Sequence, residues 1–302
     1  MSSTGTEMIE ATALSKEYRG IPALDALSFS FEEGEIIGII GHNGAGKTTL
    51  LKLLAGLILP TSGSLCLHGI DVVRHPDRIK ELIGYLPEES RLYESMTAED
   101  YLAFFGEIYG LSRKEITARR ERLFDALALQ TDGKKLSEFS KGMKRKVAIA
   151  RSLLHDPAIL IYDEPTSGLD PMTSRFILDY VRSLREGGKT VILSAHNLSQ
   201  VEAICDRVMI LRRGTIMAVG SMPELRTMFG TVSYSVYYSA TGDGCLPGLP
   251  EHTREGGLFQ VRAGSIEEMN ALTSAITSGG GIVERIESHF PTLEEMLVRI
   301  GR

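Results

Sequence analysis

Tryptophan is absent from the 302 residues, and cysteine occurs only three times, at Cys66, Cys205 and Cys245. Three widely separated cysteines with no C-x-x-C pair exclude a disulfide framework and a zinc site of the usual spacing, and they fit a reducing compartment. No apolar run approaches the roughly 18 residues that a spanning helix needs. The first residues, MSSTGTEM, lack the charged and apolar regions of a secretory leader. A chain soluble by itself and cytoplasmic is expected. Basic residues are also in deficit: the formal charge is −6, which disfavours sequence-independent nucleic-acid binding, so no nucleic-acid partner is expected. No repeat of solenoid-like period is present. What remains, 43% hydrophobic and 24% charged residues, is ordinary globular composition, long enough for one large and one small domain.

The most informative stretch is Gly41-His42-Asn43-Gly44-Ala45-Gly46-Lys47-Thr48-Thr49, which fits G-x4-G-K-[ST] at every fixed position. The apolar run Glu35 to Ile40 before it reads as a buried parallel strand, and a helical pattern follows from Thr49 to Leu57. Strand, glycine loop and helix start converge backbone N–H groups and the positive end of a helix dipole on one point, an arrangement suited to phosphate. Lys47 is positioned for β- and γ-phosphates and the Thr48 hydroxyl for Mg2+, so ATP and Mg2+ are the expected cofactors.

Upstream, residues 8–14 and 24–31 read as strands, with Tyr18 in the turn between them as a candidate adenine platform. A lone tyrosine more often packs than binds. Pro60-Thr61-Ser62-Gly63 is a turn, followed by a strand from Ser64 to His68 and a second ending at Gly84-Tyr85-Leu86-Pro87-Glu88. From Thr97 to Leu129 the period turns helical, with Thr97 and Asp100 resembling a capping box and Tyr101, Leu102, Phe105, Ile108 and Tyr109 recurring at helical spacing. These aromatics read as core, or as a docking surface if partly exposed. Residues 113–122 hold five cations and two glutamates, most simply a solvated face. Another helix begins at Ser140 and is limited by Pro157.

Ala158 to Tyr162 is a further buried strand ending on Asp163-Glu164, and Thr190 to Ser194 is another ending at Ala195-His196. Strand ends of an open α/β sheet are where ligands bind, so this carboxylate pair and histidine are candidate catalytic groups beside Lys47. Arg207 to Leu211 and Thr215 to Val219 form a hairpin. Beyond Pro223 the texture shifts to strands at 231–240, 258–262 and 282–288 with helices at 266–277 and 292–300, separated by a glycine- and proline-rich loop over 242–250. Thr231 to Arg302 contains no lysine; this stretch reads as an acidic α+β appendage without a catalytic motif.

Phosphate loop, carboxylate pair and strand-end histidine, in this order and with a helical insertion between the first two, resemble the nucleotide-binding subunit of an ATP-binding cassette (ABC) transporter over roughly residues 8–222. The resemblance implies an α/β P-loop NTPase cassette at 1–222, with an antiparallel β portion and a helical subdomain at about 89–157, followed by a small α+β accessory or regulatory domain at 223–302. It also implies roles. Tyr18 matches the aromatic that stacks on adenine, Asp163 and Glu164 the Mg2+-linked and catalytic carboxylates, Asp170 the D-loop, and His196 the switch histidine. Phe139-Ser140-Lys141-Gly142-Met143 stands where the family reads LSGGQ and keeps the serine and second glycine. In the family those two touch the γ-phosphate across a dimer, so Ser140 and Gly142 are expected to serve the ATP of a second subunit. Glu88 replaces the usual glutamine and is a candidate Mg2+ ligand.

Both departures, and an ending like Pro291-Thr292-Leu293-Glu294-Glu295, resemble the export branch. The implied partners are integral membrane transporter subunits (a permease) and a second ATPase subunit, most simply a homodimer. The implied location is the inner face of the cell membrane, with docking through the Glu88 loop around Leu92, Tyr93 and Met96. The alternatives are a soluble non-transport cassette ATPase and a slow-hydrolysing regulatory or immunity module.

Overall fold

The computed structural model describes residues 7–230, 232–240, 253–255 and 257–301, and these divide into two compact units, Met1–Ser221 and Met222–Arg302. In the first, β1 (Glu7–Tyr18) and β2 (Ile21–Glu32) form a long antiparallel pair, followed by β3 (Ile36–Ile40), α1 (Lys47–Leu54), β4 (Ser62–Leu67), β5 (Ile70–Asp71), α2 (Pro76–Leu82) and β6 (Ile83–Leu86). Next come α3 (Ala98–Ile108), α4 (Arg113–Ala126), α5 (Lys141–Leu153), β7 (Ile159–Asp163), α6 (Pro171–Glu186), β8 (Thr190–Ser194), α7 (Leu198–Ile204), β9 (Arg207–Arg212) and β10 (Thr215–Gly220).

Two sheets share the core. One has the order β2-β1-β4-β5, and the other β10-β9-β3-β8-β7-β6. In the second sheet β6, β7, β8, β3 and β9 run parallel, and only β10 is antiparallel. Every residue of β3, β7 and β8 is buried, which accounts for their unbroken apolar runs: a parallel strand covered on both faces has no polar side to alternate with. The hydrophobic cluster joining the two sheets includes Ile9, Leu14, Leu24, Phe31, Ile37, Leu50 and Ile161. Because the strands are parallel, the segments after β3, β6, β7 and β8 all emerge at one edge. That edge therefore receives Gly41–Thr49, Glu88, Asp163-Glu164 and His196 together.

Some elements differ from their sequence expectations. The first two strands are longer than 8–14 and 24–31, because Ala13 and Ala26 adopt positive φ at register shifts of the β1–β2 ladder, bulges that interrupt the period without ending the strands. The strand expected to end at Gly84–Glu88 is β6, and α2, for which no helix was expected, precedes it, opened by Pro76 at its first turn. The helical stretch from Thr97 is two helices broken at Gly110, whose φ is +72. The second opens with a capping box in which the Ser112 hydroxyl and the Glu115 carboxylate exchange bonds with the backbone.

The second unit comprises α8 (Met222–Phe229), β11 (Ser233–Ser239), β12 (Thr253–Glu255), β13 (Leu258–Ala263), α9 (Ile266–Ser278), β14 (Ile282–His289) and α10 (Leu293–Gly301). Its strands form one antiparallel sheet, β12-β13-β11-β14. Val236, Tyr238, Phe259 and Val261 pack beneath Leu272 and Ile276 of α9. The 242–250 loop and Cys245 lie outside the described residues.

Candidate active site

The phosphate loop is built by exclusion. A Cβ on Gly41 would stand 2.3 Å from the Leu211 carbonyl oxygen, and one on Gly46 would stand 2.6 Å from Leu24 Cδ2 and 2.8 Å from the Ala23 oxygen. Gly46 also holds φ +105, so it is glycine for conformation and for space. It caps α1 with no side-chain hydrogen bond, which leaves the first N–H groups of that helix to an external acceptor. Lys47 is buried, and its ammonium donates to the Gly41 and His42 carbonyls at 2.8 and 3.4 Å. Burial pulls its pKa below the usual lysine value, opposed by the negative charges of Glu164, Asp163 and Glu88. A phosphate supplying further negative charge would favour the ammonium.

Asp163 ends β7 directly opposite Ser194 of β8. The Ser194 hydroxyl donates to Asp163 Oδ1 at 2.6 Å and accepts the Glu164 N–H at 3.0 Å. Glu164 holds a left-handed φ of +48, unusual for a residue with a Cβ and characteristic of strain retained at working sites. This turn aims its carboxylate at His196, Oε1 to Nε2, 2.6 Å away. The Glu164 carboxyl is raised above its ordinary pKa: burial is the main cause, His196 opposes it, and the charges of Glu88 and Asp163 add to it.

Tyr18, Asn43 to Thr49, Glu88, Glu164 and His196 line one cavity of about 560 Å3. Tyr18 stands at its rim, half exposed, with Lys16 Nζ 5.3 Å from the ring centroid. Asp163 is buried beside this group. Ser140, Gly142 and Asp170 do not line the cavity. Ser140 caps α5 through the Met143 N–H, Asp170 caps α6 through the Thr173 N–H, and Gly142 faces Thr173. Among the described residues no group of three His, Cys, Asp or Glu side chains is disposed to hold a metal unaided. Thr48, Asp163 and Glu88 offer oxygen donors only, which suits Mg2+ shared with phosphate oxygens rather than a protein cage.

Arg145 was not recognisable from a motif. It is buried in α5, with Nε donating to the Pro165 oxygen at 2.8 Å and Nη1 to the Pro87 and Glu88 oxygens at 2.7 and 3.0 Å. Nη2 donates to the Asp163 oxygen at 3.1 Å and also to the Glu164 oxygen. Burial lowers its pKa to about 10, still charged at neutral pH. One guanidinium thus ties the backbone of the Glu88 loop to the backbone of Asp163 and Glu164. The available signal is its place three and four residues before Ala148 and Ile149, on the stripe that α5 buries.

A phosphate loop at the edge of a parallel sheet, with an aromatic rim, an acidic strand end and an adjoining histidine, defines a P-loop nucleotide-binding cassette. The ABC transporter family profile matches residues 24–167. The chain is 39% identical over 224 residues to the ABC transporter ATP-binding protein NatA of Bacillus subtilis, covering 72% of this chain and 91% of that one. It is 37% identical over 224 residues to the linearmycin resistance ATP-binding protein LnrL of the same organism, covering 74% and 72%. Among solved structures, a dimeric post-hydrolysis state of the ATP-binding cassette MJ0796 bound to ADP and Pi superposes with a TM-score of 0.66 at 26% identity, over 71% of this chain and 99% of that one. The chain belongs to the ATP-binding proteins of ABC transporters.

Proposed function

We propose that the protein hydrolyses Mg-ATP between two copies of itself and drives an exporter through membrane-spanning permease subunits. The observation that carries the reading is the separation within one chain: Asn43–Thr49, Glu88, Glu164 and His196 share a cavity that Ser140 and Gly142 do not line. Two chains placed head to tail would bring the α5 N-terminus of each to the phosphate loop of the other, and a related cassette solved as a dimer bound to ADP and Pi supports a dimeric, nucleotide-bound assembly.

Within each site Tyr18 stacks on the base, and the loop N–H groups and Lys47 hold the phosphates. Thr48, Asp163 and Glu88 would hold Mg2+, which would neutralise phosphate charge. Glu164, held against His196, orients water and accepts its proton as it attacks the γ-phosphate. Arg145 couples this event to the Glu88 loop.

Export is supported by the FSKGM sequence, by Glu88 and by likeness to a resistance protein. No described helix is long and apolar enough to cross a membrane. Tyr93 and Phe104 are exposed beside the Glu88 loop and present an aromatic docking surface; Leu92, expected there, is buried. Purification from detergent-solubilised membranes tests the reading. Recovery of a polytopic membrane protein with the ATPase is expected, and recovery of the chain without any membrane subunit would contradict it.

A further inference from the structure

The corner between α3 and α4 carries an excess of positive charge. Against an overall −6, residues 113–122 hold Arg113, Lys114, Arg119, Arg120 and Arg122 with only Glu115 and Glu121. A groove of about 590 Å3 runs between α4 and the end of α5, with Lys114, Arg119 and Arg122 above Ala118, Leu123 and Leu153. Its two carboxylates are already engaged. Glu115 Oε2 accepts from the Ser112 N–H and hydroxyl at 2.9 and 2.7 Å, and Asp156 Oδ1 takes Lys189 Nζ at 2.6 Å. Arg119 spends one N–H on the Leu154 carbonyl at 3.0 Å. Among the described residues Lys114 and Arg122 have no ion pair.

Large apolar side chains stand exposed next to these cations. Ile108 is 62% and Tyr109 39% exposed at the end of α3, and the Tyr109 ring stacks on His155 at 4.0 Å, immediately before Asp156 of the groove. Aromatic and aliphatic groups set beside cations on a helix are the composition of a surface that rests on a lipid headgroup layer, where cations meet phosphates and amphipathic rings take the interface. A net-negative protein approaches an anionic leaflet most favourably through a basic face of this kind.

We propose that this corner is a contact surface for anionic phospholipid headgroups, with Lys114, Arg119 and Arg122 on phosphoryl oxygens and Ile108 and Tyr109 at the interface. The proposal rests on the chain working at a membrane, but it asks something the permease does not supply: direct affinity of the isolated protein for lipid.

Vesicle flotation of the full chain tests it, comparing pure phosphatidylcholine with vesicles containing about one third phosphatidylglycerol. Binding to the anionic vesicles only, weakening as salt rises to about 0.5 M, is expected. Lys114→Glu with Arg122→Glu should lower the bound fraction about tenfold or more, while Lys114→Arg with Arg122→Lys should bind as wild type. ATP hydrolysis by the isolated chain should be equal in all three. Absent binding, equal binding to both vesicle types, or full binding by the glutamate variant would overturn the proposal. Glutamate variants that bind vesicles as wild type does yet lose capture by the permease would overturn it in favour of a protein-docking surface.

Discussion

Glu164 and His196 are held with Oε1 and Nε2 2.6 Å apart, the carboxylate buried and the imidazole about half exposed. The pair faces the phosphate loop from the ends of neighbouring strands β7 and β8, so the carboxylate is fixed by the sheet and its partner by the loop that follows. A third group, Glu88, acts on this pair through its charge, and a pH dependence follows.

Burial, Glu88 and Asp163 all raise the Glu164 pKa. Removing one negative neighbour lowers it, so the ionised, proton-accepting form persists to lower pH. In Glu88→Gln the acid limb of the pH–rate profile for ATP hydrolysis should therefore move downward, with the alkaline side unchanged. Profiles measured on both proteins check this; an unmoved or upward-shifted acid limb would separate Glu88 from the chemistry.

Tyr18 lines the cavity rim with its ring half exposed. Tyr18→Ala should weaken ATP binding by about 1–3 kcal/mol, the scale of base stacking on an aromatic. Tyr18→Phe should be nearly silent, and GTP should bind comparably, because stacking reads no base edge. Equilibrium titration with fluorescent nucleotide gives both numbers, and an unchanged affinity in Tyr18→Ala would reject the stacking role.

Arg145→Met should destabilise the chain by about 3 kcal/mol or more, since the lost guanidinium leaves the carbonyls of Pro87, Glu88, Asp163, Glu164 and Pro165 without it. Arg145→Lys should recover little of this, because an ammonium cannot span the same acceptors. Urea unfolding is the measurement. A lysine variant as stable as wild type would show that charge alone suffices.

A chain ending after Ser221 should fold and bind ATP with near wild-type affinity, because every lining residue of the nucleotide cavity lies within the first unit. Calorimetric titration of the truncated protein decides it. A folded truncation unable to bind nucleotide would contradict the assignment of the second unit as accessory.

Much of the site was legible because its residues sit at invariant spacings dictated by sterics. Gly41 and Gly46 follow from a turn that admits no Cβ, Lys47 and Thr48 from their fixed place after it in the loop template, and Asp163-Glu164 and His196 follow buried apolar runs. Arg145 and Ser194 were not legible as functional. Their partners are backbone carbonyls and a neighbouring strand, and such long-range acceptors leave no local pattern. The large apolar residues of α3 and its C-cap divide where periodicity could not decide: Tyr101 and Leu102 are buried, whereas Ile108 and Tyr109 are exposed. Helix α2 escaped notice because seven residues give too few turns for a period to show.

The central claim, that ATP is bound between two copies and cleaved through Glu164, is tested most directly by Glu164→Gln. The amide keeps the shape beside Asp163 and His196 but cannot take a proton. Size-exclusion chromatography with light scattering, with and without Mg-ATP, is run beside a phosphate-release assay on both proteins. The variant is expected to release no phosphate and to accumulate as a dimer only with ATP, because a ligand favours the state that binds it; Ser140→Arg in the same background should return it to monomer. Phosphate release at the wild-type rate, or a variant that stays monomeric in saturating Mg-ATP, would contradict the account.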